Sequence, residues 1–313
     1  MMRSTILSND KIFADLNLIY DSSNPKATLE CIKKALALGF DAIAVNVELL
    51  DYDTVSKDDN QQQKHSNKKK KTNNSTMTIP SPPQFTLDLG DGTAKKLKLY
   101  SRLTLGLADT SQVHNILKMP VVEKYDVLCI YPKTDEMFNT IIKKLEVDMI
   151  TIEITQRANW ISRKNLVQMA IEKGITFEIT YSPALMDSSV RRDCFANGRD
   201  LHRASKGKGL ILSSKASKPI EIRSPFDVAN MGLLFGLTSE QSGRAVSSNA
   251  LNLLLHAESR KTVKGVMNVQ SCASLINSKR SLLDDLLKIP EFRTEVKVIS
   301  TEEKLLVKKQ KLT

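Results

Sequence analysis

Aromatic side chains make up only 5% of this 313-residue sequence, and there is a single tryptophan. That scarcity argues against a surface built to stack the bases of a single-stranded nucleic acid. Long apolar runs are missing too. The longest, such as Gly232 to Leu237 and Leu251 to Leu255, fall far short of the roughly 20 residues a membrane-spanning helix needs. The N-terminal Met1-Met2-Arg3-Ser4 carries no apolar stretch or small-residue cleavage site of a signal peptide, so an intracellular protein is expected. Cys31, Cys129, Cys194 and Cys272 show no CxxC spacing, which favours reduced thiols over a zinc site. His65, His114, His202 and His256 form no HxH, HxxxH or HExxH pair. GxGxxG, GxxxxGK[ST] and GxSxG are all absent, and Gly207-Lys208-Gly209 is too short for a phosphate loop. No local motif announces an enzyme, and neither a cofactor nor a metal is expected.

What is present is a basic chain of net charge +11 with enough apolar residues, 41%, for a substantial core. Strand-length apolar segments alternate with helix-period segments up to about residue 215. The strands are Ile12 to Leu18, Asp41 to Val47, Leu97 to Leu107, Tyr125 to Tyr131, Asp148 to Ile154, Ile175 to Tyr181 and Gly209 to Ser213. Helical segments fall between most of them. One follows the Asn24-Pro25 cap, a short one spans Ser111 to Leu117, and two more cover Asp135 to Leu145 and Arg163 to Lys173. Continuous apolar strands separated by single helices describe a parallel sheet covered on its outside. Seven or so such units suit an α/β barrel, with an open doubly wound sheet as runner-up. The remainder is helical, with starts at Ser224-Pro225 and at Thr238 to Gln241, the second helix running to about His256.

Two stretches fall outside that pattern. Residues 53–84 hold three glutamines, the run Lys68 to Lys71 and Pro80-Ser81-Pro82-Pro83, a composition expected of a disordered insertion. Residues 269–313 are expected to be a flexible basic tail, in which Ser281 to Ile289 could form an amphipathic helix on a partner. The barrel domain is then residues 1–268.

The charge is unevenly placed. Asp187 to Arg223 holds nine Lys/Arg against four Asp/Glu. On a helix starting at Asp187, residues Arg192, Arg199, Arg203 and Lys206 share one face, opposite Val190, Cys194 and Leu201. Such a face is ordinarily just solvated. Here the excess points to a polyanion, because arginine pairs bidentately with phosphate and clustered cations release condensed counterions. Few aromatics favour backbone and shape contacts. The lysines at 68–71 suit a nuclear-import or loose RNA-contact segment.

Several strings together resemble the thirty-kilodalton protein subunit family of ribonuclease P and RNase MRP. They are Phe13 to Asn17 (FADLN), Lys98 to Leu105 (KLYSRLTL), Phe177 to Ala184 (FEITYSPA), Arg191-Arg192, Gly209 to Ser214 (GLILSS), Glu221 to Pro225 (EIRSP), Asp227 to Leu237 (DVANMGLLFGL) and Arg260 to Thr262 (RKT). The resemblance spans about residues 10 to 268, without the insertion. It implies a TIM-like (β/α) barrel in a nuclear, nucleolar ribonucleoprotein that removes the 5′ leader of precursor tRNA and processes precursor rRNA. Cleavage there belongs to the RNA subunit, and a small ferredoxin-like protein subunit is the usual partner. The residues expected to contact RNA phosphates are Arg191, Arg192, Lys206, Lys208, Arg223, Arg260 and Lys261, with Arg102 on a strand as a further candidate. Arg199 and Arg203 follow from the helical face alone.

Such a barrel is similar to that of PHP phosphoesterases, so a metal-dependent phosphoesterase or nuclease is the alternative. Those enzymes place an HxH pair at the end of strand one, where this sequence reads Asp15-Leu16-Asn17. Asp15, Asn46, Glu153 and Glu178 are the polar strand residues left near a barrel mouth, and buried hydrogen-bonded core is their ordinary role. The barrel is expected to be catalytically empty.

Overall fold

The computed structural model describes residues 12–50, 79–85, 97–110, 113–152, 161 and 163–261. Among them, seven strands follow one another as neighbours in a single parallel sheet. These are β1 (Ala14–Ile19), β2 (Ala42–Leu49), β3 (Lys98–Leu107), β4 (Val127–Pro132), β5 (Met149–Thr151), β6 (Thr176–Thr180) and β7 (Leu210–Ser213). The sheet curls back on itself. Leu18 of β1 bridges in parallel to Ala216 just beyond β7, and the Ile19 N–H donates to the Ala216 carbonyl at 2.9 Å. The expected strands and the barrel reading therefore hold, and the open sheet is set aside.

Ten α-helices are present among the described residues. They are α1 (Pro25–Ala37), α2 (Val113–Leu117), α3 (Pro120–Glu123), α4 (Asp135–Lys144), α5 (Lys164–Glu172), α6 (Ser182–Met186), α7 (Ser188–Ser205), α8 (Pro225–Gly232), α9 (Ser239–Ala245) and α10 (Ser248–Arg260). Local chemistry starts many of them. The Asn24 side chain accepts from the Ala27 N–H ahead of α1, with Pro25 at the first helical position. Thr134 caps α4, Ser224 caps α8, and Thr238 with Gln241 forms a capping box on α9. The segment expected as one helix to about His256 is two, because Val246 ends α9 and Ser247 leaves helical geometry before α10.

Alternation along the strands sorts the core into layers. Outward residues such as Leu103, Leu105, Ile130, Ile150, Phe177 and Leu212 pack beneath the helices. Leu18, Ile43 and Val45 meet Cys31, Ile32 and Ala35 of α1. Inward residues near the strand N-termini (Ala14, Leu16, Ala42, Ala44, Val127, Cys129, Met149 and Ile211) are small or apolar. They are closed off from below by Ala250, Leu253, Leu254 and Ala257 of α10. That end of the barrel is plugged by a helix. The upper half of the interior is polar.

Part of the expected insertion folds back onto the barrel. Ile79 is buried in the outer core, Tyr125 Oη donates to the Pro80 carbonyl at 2.8 Å, and Phe85 sits edge-on to Tyr20. Residues 79–85 are therefore packed chain, although the Pro-Ser-Pro-Pro composition placed most of them in the insertion. Lys68 to Lys71, Glu153 and the tail 269–313 lie outside the described residues.

Candidate nucleic-acid interface and the barrel interior

The polar half of the interior is built around Arg102, on the inward face of β3 and fully buried. Its guanidinium meets Glu178 of β6 in a fork, Nη1 to Oε1 at 2.5 Å and Nη2 to Oε2 at 2.7 Å. Nη1 also donates to the Leu16 carbonyl at 2.8 Å, Nη2 to Cys129 Sγ at 3.3 Å and Nε to Thr104 Oγ1 at 3.1 Å. Those contacts satisfy all of the fork's N–H donors. A closed ring of hydrogen bonds continues from there. Thr104 Oγ1 donates to Asn46 Oδ1 at 2.8 Å, Asn46 Nδ2 to Asn17 Oδ1 at 2.9 Å, and Asn17 Nδ2 to Glu178 Oε1 at 3.1 Å. Ser213 Oγ donates to the same Glu178 oxygen. The ring thereby ties β1, β2, β3, β6 and β7 through their side chains.

Two details of sequence make the ring possible. A register shift in β1 between Asp15 and Leu18 turns both Leu16 and Asn17 inward, as a bulge does. Leu16 then joins the apolar layer while Asn17 joins the ring. Charge completes the arrangement. Burial by itself pushes the Glu178 carboxyl up, but the Arg102 charge and hydrogen bonds from Arg102, Ser213 and Thr151 together hold it below the ordinary carboxylate range. Burial pushes the Cys129 thiol up to about 11, so it faces Arg102 as a neutral acceptor.

Arg102 was expected as a candidate phosphate contact, and the structure corrects this. A side chain 0% exposed, with every donor occupied inside the barrel, does not reach a ligand outside it. The same residue bears on a metal. Glu178, the carboxylate inside the barrel, is already neutralised by a guanidinium. Among the described residues no group of three or more His, Cys, Asp or Glu is placed to hold a metal.

Asp15 sits beside the ring at the β1–β7 seam. Its Oδ1 accepts from the backbone N–H of Asn17 at 3.2 Å and of Ser214 at 3.1 Å, supplying an acceptor where strand pairing is incomplete. Oδ2 is buried without a hydrogen-bond partner among the described residues. Burial pushes the carboxyl up to about 6 against the hydrogen bonds from Ser214 and Asn17, with Glu178 adding to the rise.

The surface cations separate into two groups. Arg191 and Arg192 begin α7 beside the C-terminal ends of the strands. Arg191 Nε closes the preceding helix by donating to the Ala184 carbonyl at 2.7 Å, whereas the exposed Arg192 has no side-chain partner among the described residues. Arg223 lies at the same end, its backbone N–H donating to Tyr181 Oη at 3.1 Å and its side chain exposed. Lys206 and Lys208 lie at the far end of α7, where β7 begins. The fourteen helical steps from Arg192 to Lys206, at about 1.5 Å each, put the two groups roughly 21 Å apart along α7. Lys206 adopts the left-handed conformation, φ 54°, that caps α7 and that glycine ordinarily supplies.

Arg260 and Lys261 join that second end of the barrel. Arg260 Nε is bound to both oxygens of the fully buried Asp148, at 2.9 and 3.1 Å, and Asp148 Oδ2 accepts the Leu128 N–H. Arg260 is therefore first a latch that locks α10 across the strand N-termini. Lys261 pairs with Asp126 at 3.0 Å. Both line a cleft of about 540 Å³ with His114, Lys118 and Lys144, which the sequence did not single out.

Two outcomes follow for the interior. Replacing one partner of the buried pair, as Arg102→Met or Glu178→Leu, should cost about 3–5 kcal/mol in urea unfolding. The double variant should cost much less than the two singles together; additive costs would mean that the pair is not coupled. Asp15 makes a claim about pH. The unfolded chain ionises it near 3.8 and the folded barrel only near 6, so the folded state holds the extra proton between them and stability falls as pH rises through that window. Glu178 acts in the opposite direction, with its contribution present above its ordinary 4.5 and lost below. Asp15→Asn should therefore flatten the stability profile between pH 4.5 and 6, a change worth up to about 2 kcal/mol over that window.

The sequence matches the family model described as RNase P subunit p30 over residues 12–262. It is 34% identical to the ribonuclease P protein subunit p30 of Mus musculus over 258 residues, 82% of this chain and 90% of that protein. It is also 34% identical to a probable ribonuclease P protein subunit 3 of Schizosaccharomyces pombe over 175 residues, 56% of this chain and 74% of the other. With the ribonuclease P/MRP protein subunit RPP1 of Saccharomyces cerevisiae it shares 27% over 164 residues, 52% of this chain and 55% of the other. Among solved structures, a chain in archaeal ribonuclease P with mature tRNA superposes with a TM-score of 0.53 at 13% identity, covering 82% of this chain and 98% of that one. At that identity the likeness speaks for the barrel fold alone. With a family match along the whole described barrel and close coverage of a full-length relative, the chain belongs to the RNase P subunit p30 family.

Proposed function

We propose that this chain is a non-catalytic, RNA-binding protein subunit of ribonuclease P and of RNase MRP. In that role it supports 5′ leader removal from precursor tRNA and the processing of precursor rRNA, while the RNA subunit performs the cleavage. Its partners are that RNA, precursor tRNA through the complex, and other protein subunits, including a small ferredoxin-like one. Its compartment is the nucleus and nucleolus.

The observation that carries the non-catalytic part is the guanidinium of Arg102 at the centre of the barrel mouth. A hydrolytic centre there needs carboxylate or imidazole ligands free to take a metal that activates water. Glu178 instead holds an internal cation, and the histidines among the described residues lie on α2, α7 and α10, away from the mouth. Family membership supports the ribonucleoprotein setting. The exposed Arg192 and Arg223 at the strand C-termini support an RNA face, since neither side chain is held by an acidic neighbour among the described residues. Lys206 adds to that case. It keeps a cation at a left-handed position where a side chain costs roughly 1 kcal/mol.

The test is binding of the full chain to the RNA subunit over a range of salt. Arg191→Ala/Arg192→Ala should lower the affinity and reduce the log–log salt slope by about 1 to 2 without loss of fold. Arg192→Ala alone serves as a variant that breaks no internal contact. Lys206→Gly should raise stability by about 0.5–1 kcal/mol while weakening RNA binding, opposite signs that a purely structural lysine would not produce. Unchanged binding by the double variant would remove this face as the RNA contact. Chelator-sensitive phosphoesterase activity in the pure chain would overturn the non-catalytic reading in favour of a PHP-like enzyme.

A further inference from the structure

Helix α7 carries a second arrangement of cations between the two ends of the barrel. From Val190 onward, its exposed residues are Arg191, Arg192, Arg199 and Arg203 and no others. At 100° per residue, Arg192, Arg199 and Arg203 fall within about 40° of one another, with rises of roughly 10 and 6 Å between them. Lys206 extends the row to about 21 Å. The opposite face is fully engaged. Cys194, Asn197, Gly198, Leu201 and Ala204 are buried, and a Cβ on Gly198 would come within 2.5 Å of Phe235. The helix is thus held rigidly, and its outer stripe is displayed at fixed spacing.

The stripe is not the mixed lysine and glutamate surface of an ordinary solvated helix. The helix's acidic residues, Asp193 and Asp200, are half-buried on its flank. Arg203 reaches Asp200 at 3.1 Å, an exposed pair of the kind that contributes little. Arg199 uses Nε on the Leu234 carbonyl at 3.1 Å, which orients the guanidinium and leaves its two Nη groups outward of that bond. No aromatic ring joins the stripe, since Phe195 packs edge-on against Phe235.

We propose that this arginine stripe is a docking surface for double-stranded RNA, gripped through its phosphates. The inference rests on the RNA-binding reading above and adds the form of the RNA. A rigid row of cations matches a polyanion whose phosphates are themselves held at regular spacing, as in a duplex. A single strand is ordinarily retained by stacking on aromatic rings, which this surface lacks.

The experiment compares binding of the full chain to an RNA duplex of about 16 base pairs, the span covered by a typical duplex-binding module, and to an unstructured single strand of equal length. For Arg199→Gln/Arg203→Gln, the salt slope for the duplex should fall by about 2, with a small change for the single strand. Arg203→Glu alone, on a side chain 69% exposed, should weaken duplex binding by about tenfold without affecting the fold. Equal losses on both RNAs would overturn the preference for duplex. Unchanged RNA binding together with loss of a protein subunit from the reconstituted complex would make the stripe a protein interface. If only Arg191→Ala/Arg192→Ala impairs RNA binding, this inference fails while the proposed function stands; if the native chain binds no RNA, both fail.

Discussion

A fully buried arginine is held inside this barrel by a carboxylate two strands beyond its own sheet neighbour, and much of the architecture is arranged to make that tolerable. Taking both charges out of water costs several kcal/mol each, so the pair persists only with a two-pronged fit and with every remaining donor and acceptor occupied. Leu16, Cys129, Thr104, Asn46, Asn17 and Ser213 meet those requirements from five strands. The bulge in β1 exists in the same context, because without it Asn17 would face outward. The ring's electrostatics are internally complete, with the guanidinium and the carboxylate each answered inside the barrel.

That outer surface is governed by α7 and α10. The first runs the length of the barrel wall and carries its cations from one rim to the other. The second closes the strand N-termini, with Asp148 latching Arg260 underneath. Residues that are adjacent in a basic stretch of sequence therefore serve different ends of the molecule. Arg191, Arg192 and Arg223 face the rim where the strands end. Lys206 and Lys208 face the rim where they begin, near the side occupied by Arg260 and Lys261.

The strands and most helices were legible from the chain because each obeys a local rule. A parallel strand under helices is apolar nearly throughout, and Asn24-Pro25, Thr134, Ser224 and Thr238 declare the helix starts that follow them. The fate of Arg102 was not legible. Alternation with Leu103 and Leu105 places it on the inward face of β3, but its partner lies 76 residues away, and a lone strand arginine looks the same whether it is paired inside or free at a rim. Pro80 to Pro83 looked like insertion for the opposite reason. Its polar composition says nothing of Ile79 and Phe85 on either side, which anchor it to the barrel.

By itself, the sequence determined the succession of seven strands, the helices that cover them, the basic excess and the family. These depend on side-chain period, capping and composition, all of which act within a few residues. Tertiary structure decided which charges are available. Closure of the sheet brought Glu178 to Arg102 and Asp148 to Arg260, removing the first from the surface and committing the second to a latch. It also aligned Arg192, Arg199 and Arg203 on a helix whose inner face is locked. Whether a cation meets solvent or a buried carboxylate is a question of contacts across the fold, and no local pattern carries that information.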